Sequence, residues 1–221
     1  MCGRFELHSA FAIIAKLFGL TGDSVMMPTG FNIAPGQDIA IIVKVGGKNR
    51  LTTCHWGFVP SWGQDLKEGY KMINARAETV AEKPSFRQAF SRGRCLVIAD
   101  GFYEWKNVGG KKTPVYVRLK SGKPFGMAGL YNLWTSPEGE QVCTSAIITT
   151  EANGIVRPVH DRMPVIIDPA AAGLWIDPSV HEKEKLLPVL KPYPDDEIEL
   201  YEVSARVNSP KHDSKDNIQR I

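Results

Sequence analysis

Cys2 follows Met1 directly in the opening Met1-Cys2-Gly3-Arg4, and cysteine is small enough for an aminopeptidase to remove Met1 and leave it N-terminal. An N-terminal cysteine is a 1,2-aminothiol, and both halves are reactive near neutrality. An amine of pKa ~7.8 is about 14% neutral at pH 7, and a thiol of pKa ~8.5 is about 3% thiolate. Such a pair suits aldehydes: the amine forms an imine, and the thiol closes it to a thiazolidine ring. Arg4, two residues on, raises the thiolate fraction. The plain alternative is a small residue packed into a first strand.

Three further segments carry candidate chemistry. In Ile73-Asn74-Ala75-Arg76-Ala77-Glu78-Thr79, the residues Asn74, Arg76 and Glu78 alternate and share one face of an extended segment. Asparagine can orient an amine or a carbonyl oxygen, and arginine can clamp a phosphate through two parallel bonds. A surface ladder of polar residues reads equally well. Glu104 sits inside the aromatic, strand-like run Asp100-Gly101-Phe102-Tyr103-Glu104-Trp105, where burial would raise its pKa toward neutrality, as a general acid/base requires. An outward-facing glutamate after an Asp-Gly turn is the alternative. His160, in His160-Asp161-Arg162-Met163-Pro164, is the side chain type suited to proton transfer at physiological pH, although a lone histidine more often serves structure. Two loops, Phe31 to Gln37 and Trp56 to Gly63, set flat apolar side chains between glycine and proline, as platforms for unpaired bases do. Core aromatics flanked by turns would look similar.

These residues need a scaffold, and the chain is long enough to build one domain with a full core: 221 residues, 43% hydrophobic and 23% charged. Gly and Pro (20 and 15 residues) cut it into short segments, the pattern of a β-rich fold. Ser9 is placed to cap a helix from Ala10 to Leu20, with Gly19 and Gly22 near its end. Ile39 to Val45 and Arg50 to Trp56 read as a hairpin. A helix is expected from Pro84 to Arg92. Strands are expected at Cys95 to Ala99, Phe102 to Trp105, Val115 to Leu119, Phe125 to Leu130, Ser145 to Thr149 and Glu197 to Val203. Late helices are expected at Ala170 to Ile176 and His181 to Leu190. The expectation is an α+β, β-rich single domain over residues 1–221, with a barrel-like or twisted-sheet core and peripheral helices.

The bulk numbers exclude little else. A net charge of +3 is only mildly basic, and the clusters Arg87/Arg92/Arg94 and Lys106/Lys111/Lys112 read first as solvated faces. Cys54, Cys95 and Cys143 show no CxxC or zinc spacing, so free, mostly buried thiols are expected and no metal. Adjacent in a strand, Cys54 and His55 would point to opposite faces. No apolar run reaches the ~20 residues of a membrane span, and Lys16 interrupts the apolar stretch from Phe11 to Leu20. A cytoplasmic protein is expected.

Taken in order, the segments MCGR (from Met1), FNIAPGQ (Phe31), WGFVPSW (Trp56), INARAET (Ile73), RCLVIADGFYEW (Arg94), ITTEAN (Ile148), HDRMP (His160) and VSARVN (Val203) resemble the SRAP (SOS response-associated peptidase) family of abasic-site-processing proteins. The resemblance covers nearly the whole chain. It implies a DNA damage-response enzyme that captures abasic sites in single-stranded DNA as a thiazolidine on the N-terminal cysteine, with lyase and autopeptidase-type activities associated. By this resemblance Cys2 is the nucleophile, Asn74 orients it and the sugar, and Glu104 and His160 move protons. Arg4, Arg76 and Arg162 contact phosphates, while Pro35, Trp62 and Trp105 lie against bases. No cofactor, no membrane and a monomer are expected, with nucleoid association in a bacterial member. Two alternatives stand beside it: a non-catalytic single-strand-binding module, and a glutamine amidotransferase that also begins Met-Cys-Gly.

Overall fold

The protein, described by a computed structural model over residues 2–21 and 26–221, is organised around one long hairpin. Gly46 and Gly47 both take positive φ (57° and 76°), the backbone twist that a two-residue hairpin turn needs. In chain order the elements are β1 (Phe5–Leu7), α1 (Phe11–Phe18), β2 (Gly30–Ile33), β3 (Asp38–Val45), β4 (Lys48–Trp56), β5 (Asn74–Arg76), α2 (Arg87–Arg92), β6 (Arg94–Ala99), β7 (Gly101–Val108), β8 (Lys111–Leu119), β9 (Phe125–Thr135), β10 (Gln141–Glu151), β11 (Arg162–Pro164), α3 (Pro169–Trp175), α4 (Lys183–Leu186) and β12 (Ile198–Glu202). Short 3-10 turns include Leu66–Lys71 and Ala205–Asn208.

Strand pairing closes a five-stranded barrel. β3 pairs with β4 and β6, β6 with β9, and β9 with β10, all antiparallel. β10 then returns to β4 in parallel, through Thr144↔His55 and Ser145↔Trp56. Closure leaves no free edge on this ring. β10 continues past the barrel, and its last residues pair with β5 on one side and β11 on the other. A second sheet, in the order β12-β8-β7-β1-β2, packs beside it. Phe5 of β1 meets Trp56 of β4 with ring centroids 5.1 Å apart. Buried side chains of both sheets share a main core, beside a smaller cluster of Tyr103, Tyr116, Val203 and Val207, and β6 is buried along its whole length because α3 covers its outer side through Trp175.

The architecture is the expected α+β, β-rich one, with several local differences. Ser9 does not cap α1: its hydroxyl and backbone N–H both go to Asp100, and the cap position, Ala10, makes no side-chain bond. Gly19 ends this helix in the left-handed conformation (φ 59°), while Gly22 lies outside the described residues. The second helix begins only at Arg87, after turns from Lys83. The helix expected at 181–190 is one turn, α4, passing into a 3-10 turn at Pro188. Cys54 and Cys143 are not free: their Cα atoms lie 4.9 Å apart across the β4–β10 seam and they form a disulfide, leaving Cys2 and Cys95 as free, buried thiols. No helix among the described residues is long and apolar enough to cross a membrane.

Candidate active site

The site forms where the two sheets meet, and strand register assembles it. β1 and β7 pair antiparallel at Phe5↔Phe102 and Glu6↔Gly101, and Tyr103 N–H donates to the Arg4 carbonyl at 2.9 Å. Continuing this register sets Glu104 alongside Gly3, next to the fully buried Cys2. From the other sheet, β5 lies parallel to β10 at Ile147↔Asn74 and Thr149↔Arg76. Its first residue, Asn74, donates from Nδ2 to the Cys2 carbonyl at 2.9 Å. The Asn74 Oδ1 is buried with no hydrogen-bond partner among the described residues. His160 ends the loop from β10 to β11, anchored where Ala152 N–H donates to the Asp161 carbonyl.

The electrostatics separate the two proton-carrying groups. Glu104 is 2% exposed, and burial pushes its carboxyl up to about 7, with Asp161 adding to the rise. Burial, and then the Glu104 charge, push the Cys2 thiol well above its ordinary value, so the thiol is held neutral. Burial lowers the pKa of His160, keeping its ring neutral at pH 7. Arg162 N–H donates to His160 Nδ1 at 2.9 Å, and Asp161 Oδ1 also lies 2.9 Å from that nitrogen. A backbone N–H can only donate. The backbone N–H calls for a bare Nδ1 and so favours the tautomer with hydrogen on Nε2, whereas the carboxylate calls for a hydrogen on Nδ1. The Asp161 carboxylate, 86% exposed, accepts from Nδ1 when that nitrogen carries a hydrogen, in the neutral Nδ1–H tautomer or in the imidazolium.

The surrounding arginines are placed differently from one another. Arg76, at the end of β5, is exposed. It borders a polar hollow of about 400 Å³ together with Glu151, Arg157, Asp161 and Arg162. Arg162 itself is buried: its guanidinium grips Glu78 through two bonds (2.7 and 2.9 Å) and donates to the Thr149 carbonyl at 2.6 Å. Arg4 is half-buried and donates to Asn32 Oδ1 (2.6 Å) and the Val207 carbonyl (2.8 Å). Its guanidinium carbon lies 5.9 Å from the ring centroid of Trp105, whose indole N–H donates to Asn208 Oδ1. The VSARVN segment thus pins Arg4 and Trp105 together. Pro35 sits half-buried in a turn closed by Gln37 N–H on the Ala34 carbonyl. Trp62 is 56% exposed.

Some of the frame carried no signal in the sequence. Asn32 joins strand β2 to the C-terminal segment through bonds to the Val207, Ser209 and His212 carbonyls. Its place in FNIAPGQ gave no hint of these distant partners. Glu6 is a second buried carboxylate pushed up to about 7 by burial, and it takes hydrogen bonds from Tyr116 and His8. With His8 and Asp100 it forms the group of potential metal-ligand atoms found within 4.8 Å of one another among the described residues. Asp100, however, is already bonded to the backbone of His8 and Ser9. An apolar hollow of about 430 Å³ between α3 and Pro188–Pro194 contains none of the candidate residues.

Residues 1–210 match the family described as SOS response associated peptidase (SRAP). A Bacillus subtilis protein named abasic site processing protein YoqW is 44% identical to this chain, the match covering 99% of each. Abasic site processing protein YedK of Escherichia coli is 30% identical over 83% of each chain. Among solved structures, a protein from Bacteroides thetaiotaomicron superposes over the whole of both chains with a TM-score of 0.88 at 27% identity.

Proposed function

Because the chain belongs to the SRAP family, we propose that it processes abasic sites in DNA, and that it does so by capturing the ring-opened sugar of a single strand on Cys2. One observation carries this reading: Asn74 holds the Cys2 carbonyl at 2.9 Å, next to a buried carboxyl whose pKa lies near neutrality. That is the arrangement an imine-forming amine needs, with its backbone fixed and a proton donor and acceptor beside it.

The chemistry follows from the groups present once Met1 is removed. At neutral pH Glu104 populates both protonation states. As carboxylate it takes the hydroxyl proton of the closed sugar and hands it to the ring oxygen as that carbon–oxygen bond breaks, leaving the aldehyde and a hydroxyl. In the Nε2–H tautomer that the Arg162 N–H favours, neutral His160 donates a hydrogen bond to the sugar oxygen that gains charge. The neutral Cys2 amine then adds to the aldehyde carbon. Through Glu104 the two amine protons pass to the former aldehyde oxygen, which leaves as water to give the imine. The thiol adds last: sulfur bonds the former aldehyde carbon and its proton passes to the imine nitrogen, closing the thiazolidine. The raised thiol pKa suits this order, in which the amine acts first. Both nucleophiles sit on one residue, so the second bond is intramolecular. Closure competes with β-elimination from the imine, which would cut the strand. In this reading Arg76 meets a phosphate and Trp62 a base, and both side chains are exposed.

Intact-mass spectrometry tests the proposal. The protein is mixed with a single-stranded oligonucleotide carrying one abasic site. The expected species has the mass of protein lacking Met1 plus DNA, less one water, and is absent with Cys2→Ala. No adduct from a protein confirmed to lack Met1 would remove the capture reaction. Non-covalent binding that survives in Cys2→Ala, without any adduct in the wild type, would establish the single-strand-binding alternative.

A further inference from the structure

β10 and β11 pair antiparallel as far as Glu151↔Arg162, and Ala152 N–H carries the ladder on to the Asp161 carbonyl at 2.9 Å. A turn of a few residues would suffice to join two strands so placed. Instead the connection, residues 152–161, winds through two successive helical turns and carries His160 near its end. Arg157 N–H donates to the Asn153 carbonyl at 2.9 Å. His160 N–H donates to the Val156 carbonyl at 3.0 Å, and the same carbonyl accepts from Val159 N–H at 2.8 Å. The backbone of His160 therefore hangs from Val156.

Val156 is held in turn by Asn153, the last residue of the ITTEAN segment, which is 8% exposed. The Asn153 Oδ1 accepts from Val156 N–H at 2.9 Å, and its Nδ2 donates to the Tyr193 carbonyl at 2.8 Å. Its backbone N–H donates to Met163 Sδ at 3.4 Å, on β11. Every polar group of this residue is engaged. The bridge from Val156 to Tyr193 takes one acceptor and one donor on a short, planar side chain, which asparagine supplies and aspartate, an acceptor only, does not. The next residue tightens the same anchor. Gly154 N–H donates to Asp195 Oδ1 at 2.9 Å, and a Cβ on Gly154 would stand 2.4 Å from Asp195 Oδ2. The start of the connection is thus clamped to the segment Tyr193–Asp195, and Val156 passes that placement on to its end.

We propose that Asn153 is a positioning residue for His160, setting through the Val156 backbone where the imidazole stands in the site. The proposal rests on the functional reading above, in which His160 donates to the sugar oxygen, and adds the residue that places the donor. Exposed helical turns fray unless their first N–H groups are capped, and here the cap is made by a buried amide tied to a second segment. A reacting group displaced by about 1 Å loses up to about 100-fold in rate.

The test separates the rate of capture from stability. Single-turnover adduct formation on a single-stranded oligonucleotide with one abasic site is measured for wild type, Asn153→Ala, Asn153→Asp, His160→Ala and the variant combining Asn153→Ala with His160→Ala. A melting temperature is recorded for each. Asn153→Ala removes both side-chain bonds. Asn153→Asp keeps the acceptor for Val156 N–H but sets a carboxylate against the Tyr193 carbonyl. Both should melt lower, yet only Asn153→Ala should be slowed, by up to about 100-fold. In the His160→Ala background the same change should cost nothing further. Should Asn153→Ala not fold, Asn153→Gln, with its amide one carbon further out, takes its place. Histidine-ring NMR gives a readout independent of activity. The His160 signals, identified by their loss in His160→Ala, should move in Asn153→Ala and stay in place in Asn153→Asp. Rates that follow the melting temperatures, equal slowing with and without the His160 side chain, or unmoved His160 signals in Asn153→Ala each overturn the assignment. Absence of a wild-type adduct, or His160→Ala reacting as fast as wild type, counts instead against the functional reading, and the NMR comparison then decides the role of Asn153.

Discussion

Replacing Glu104 with glutamine should make the protein more stable at pH 8 while slowing adduct formation. The carboxyl is 2% exposed, and burial raises it from an ordinary 4.5 to about 7. In the unfolded chain it ionises near 4.5, whereas in the folded protein it holds its proton until about 7. The protonated form therefore favours folding below pH 4.5, and that contribution is lost as pH rises to 7. A gap of this size corresponds to about 3 kcal/mol, at about 1.4 kcal/mol per pH unit. An α-ammonium on processed Cys2 would favour the carboxylate, so this is an upper limit. Glutamine keeps the shape and cannot ionise, and Glu6 titrates in both proteins and cancels. Urea or thermal unfolding at pH 5 and pH 8 reads the difference. The two proteins should be close at pH 5, and Glu104→Gln should be ahead at pH 8 by up to roughly 6–12 °C in Tm for a chain of this size. Adduct formation by the same variant should be slower by roughly 10²–10⁴-fold, the range for a lost general acid/base, with DNA affinity little changed. A stability difference independent of pH, or an unchanged rate, would refute the claim that Glu104 is a buried carboxyl kept for proton transfer.

Other consequences separate positioning from contact. Arg162→Ala should lower stability by about 2 kcal/mol in urea denaturation, since the Thr149 carbonyl loses a charged donor. Arg76→Ala should leave stability unchanged but reduce the log–log salt slope of single-strand binding by about 0.7. An equal loss of slope in Arg162→Ala would return Arg162 to the phosphate contacts. Asn74→Ala should cost about 1 kcal/mol of stability and slow adduct formation more than it weakens binding; a pure affinity loss would argue against an orienting role. Reducing Cys54–Cys143, which are 89 residues apart, should lower stability by about 4–5 kcal/mol on the chain-entropy estimate. Alkylation of unreduced, denatured protein should label Cys2 and Cys95 alone, and labelling of all four cysteines would show the pair to be open.

The fold was legible where local rules suffice. Gly46-Gly47 between two apolar runs specifies a hairpin because only a few turn geometries match strand twist, and β3 and β4 form it, with β4 beginning at Lys48 rather than Arg50. Short apolar and aromatic runs between Gly and Pro likewise located the central parts of β6 to β10, although the outer arms of β7 and β8, rich in lysine and asparagine, carried no apolar pattern and were missed. Helix caps were less legible. Ser9 is a good capping residue by type, but the buried Asp100 carboxylate competes for its hydroxyl and wins.

The sequence alone named Cys2 as the candidate nucleophile, because a 1,2-aminothiol is read from residue type and needs no fold, and ordered motifs pointed to the family. Tertiary structure decided the partners. The seam that closes the barrel is a parallel contact of two residue pairs between strands about ninety positions apart, invisible to any local pattern. That contact also brings Cys54 to Cys143, two thiols that looked unrelated by spacing. Antiparallel register between β1 and β7 sets Glu104 beside Cys2, and a one-residue slip would have turned it to the other face. Arg162 reads in sequence as a free cation next to His160. In the fold, burial demands a partner for its charge and Glu78, 84 residues away, supplies it. Residue type sets what chemistry is available; long-range pairing and burial decide which groups meet and in what charge state.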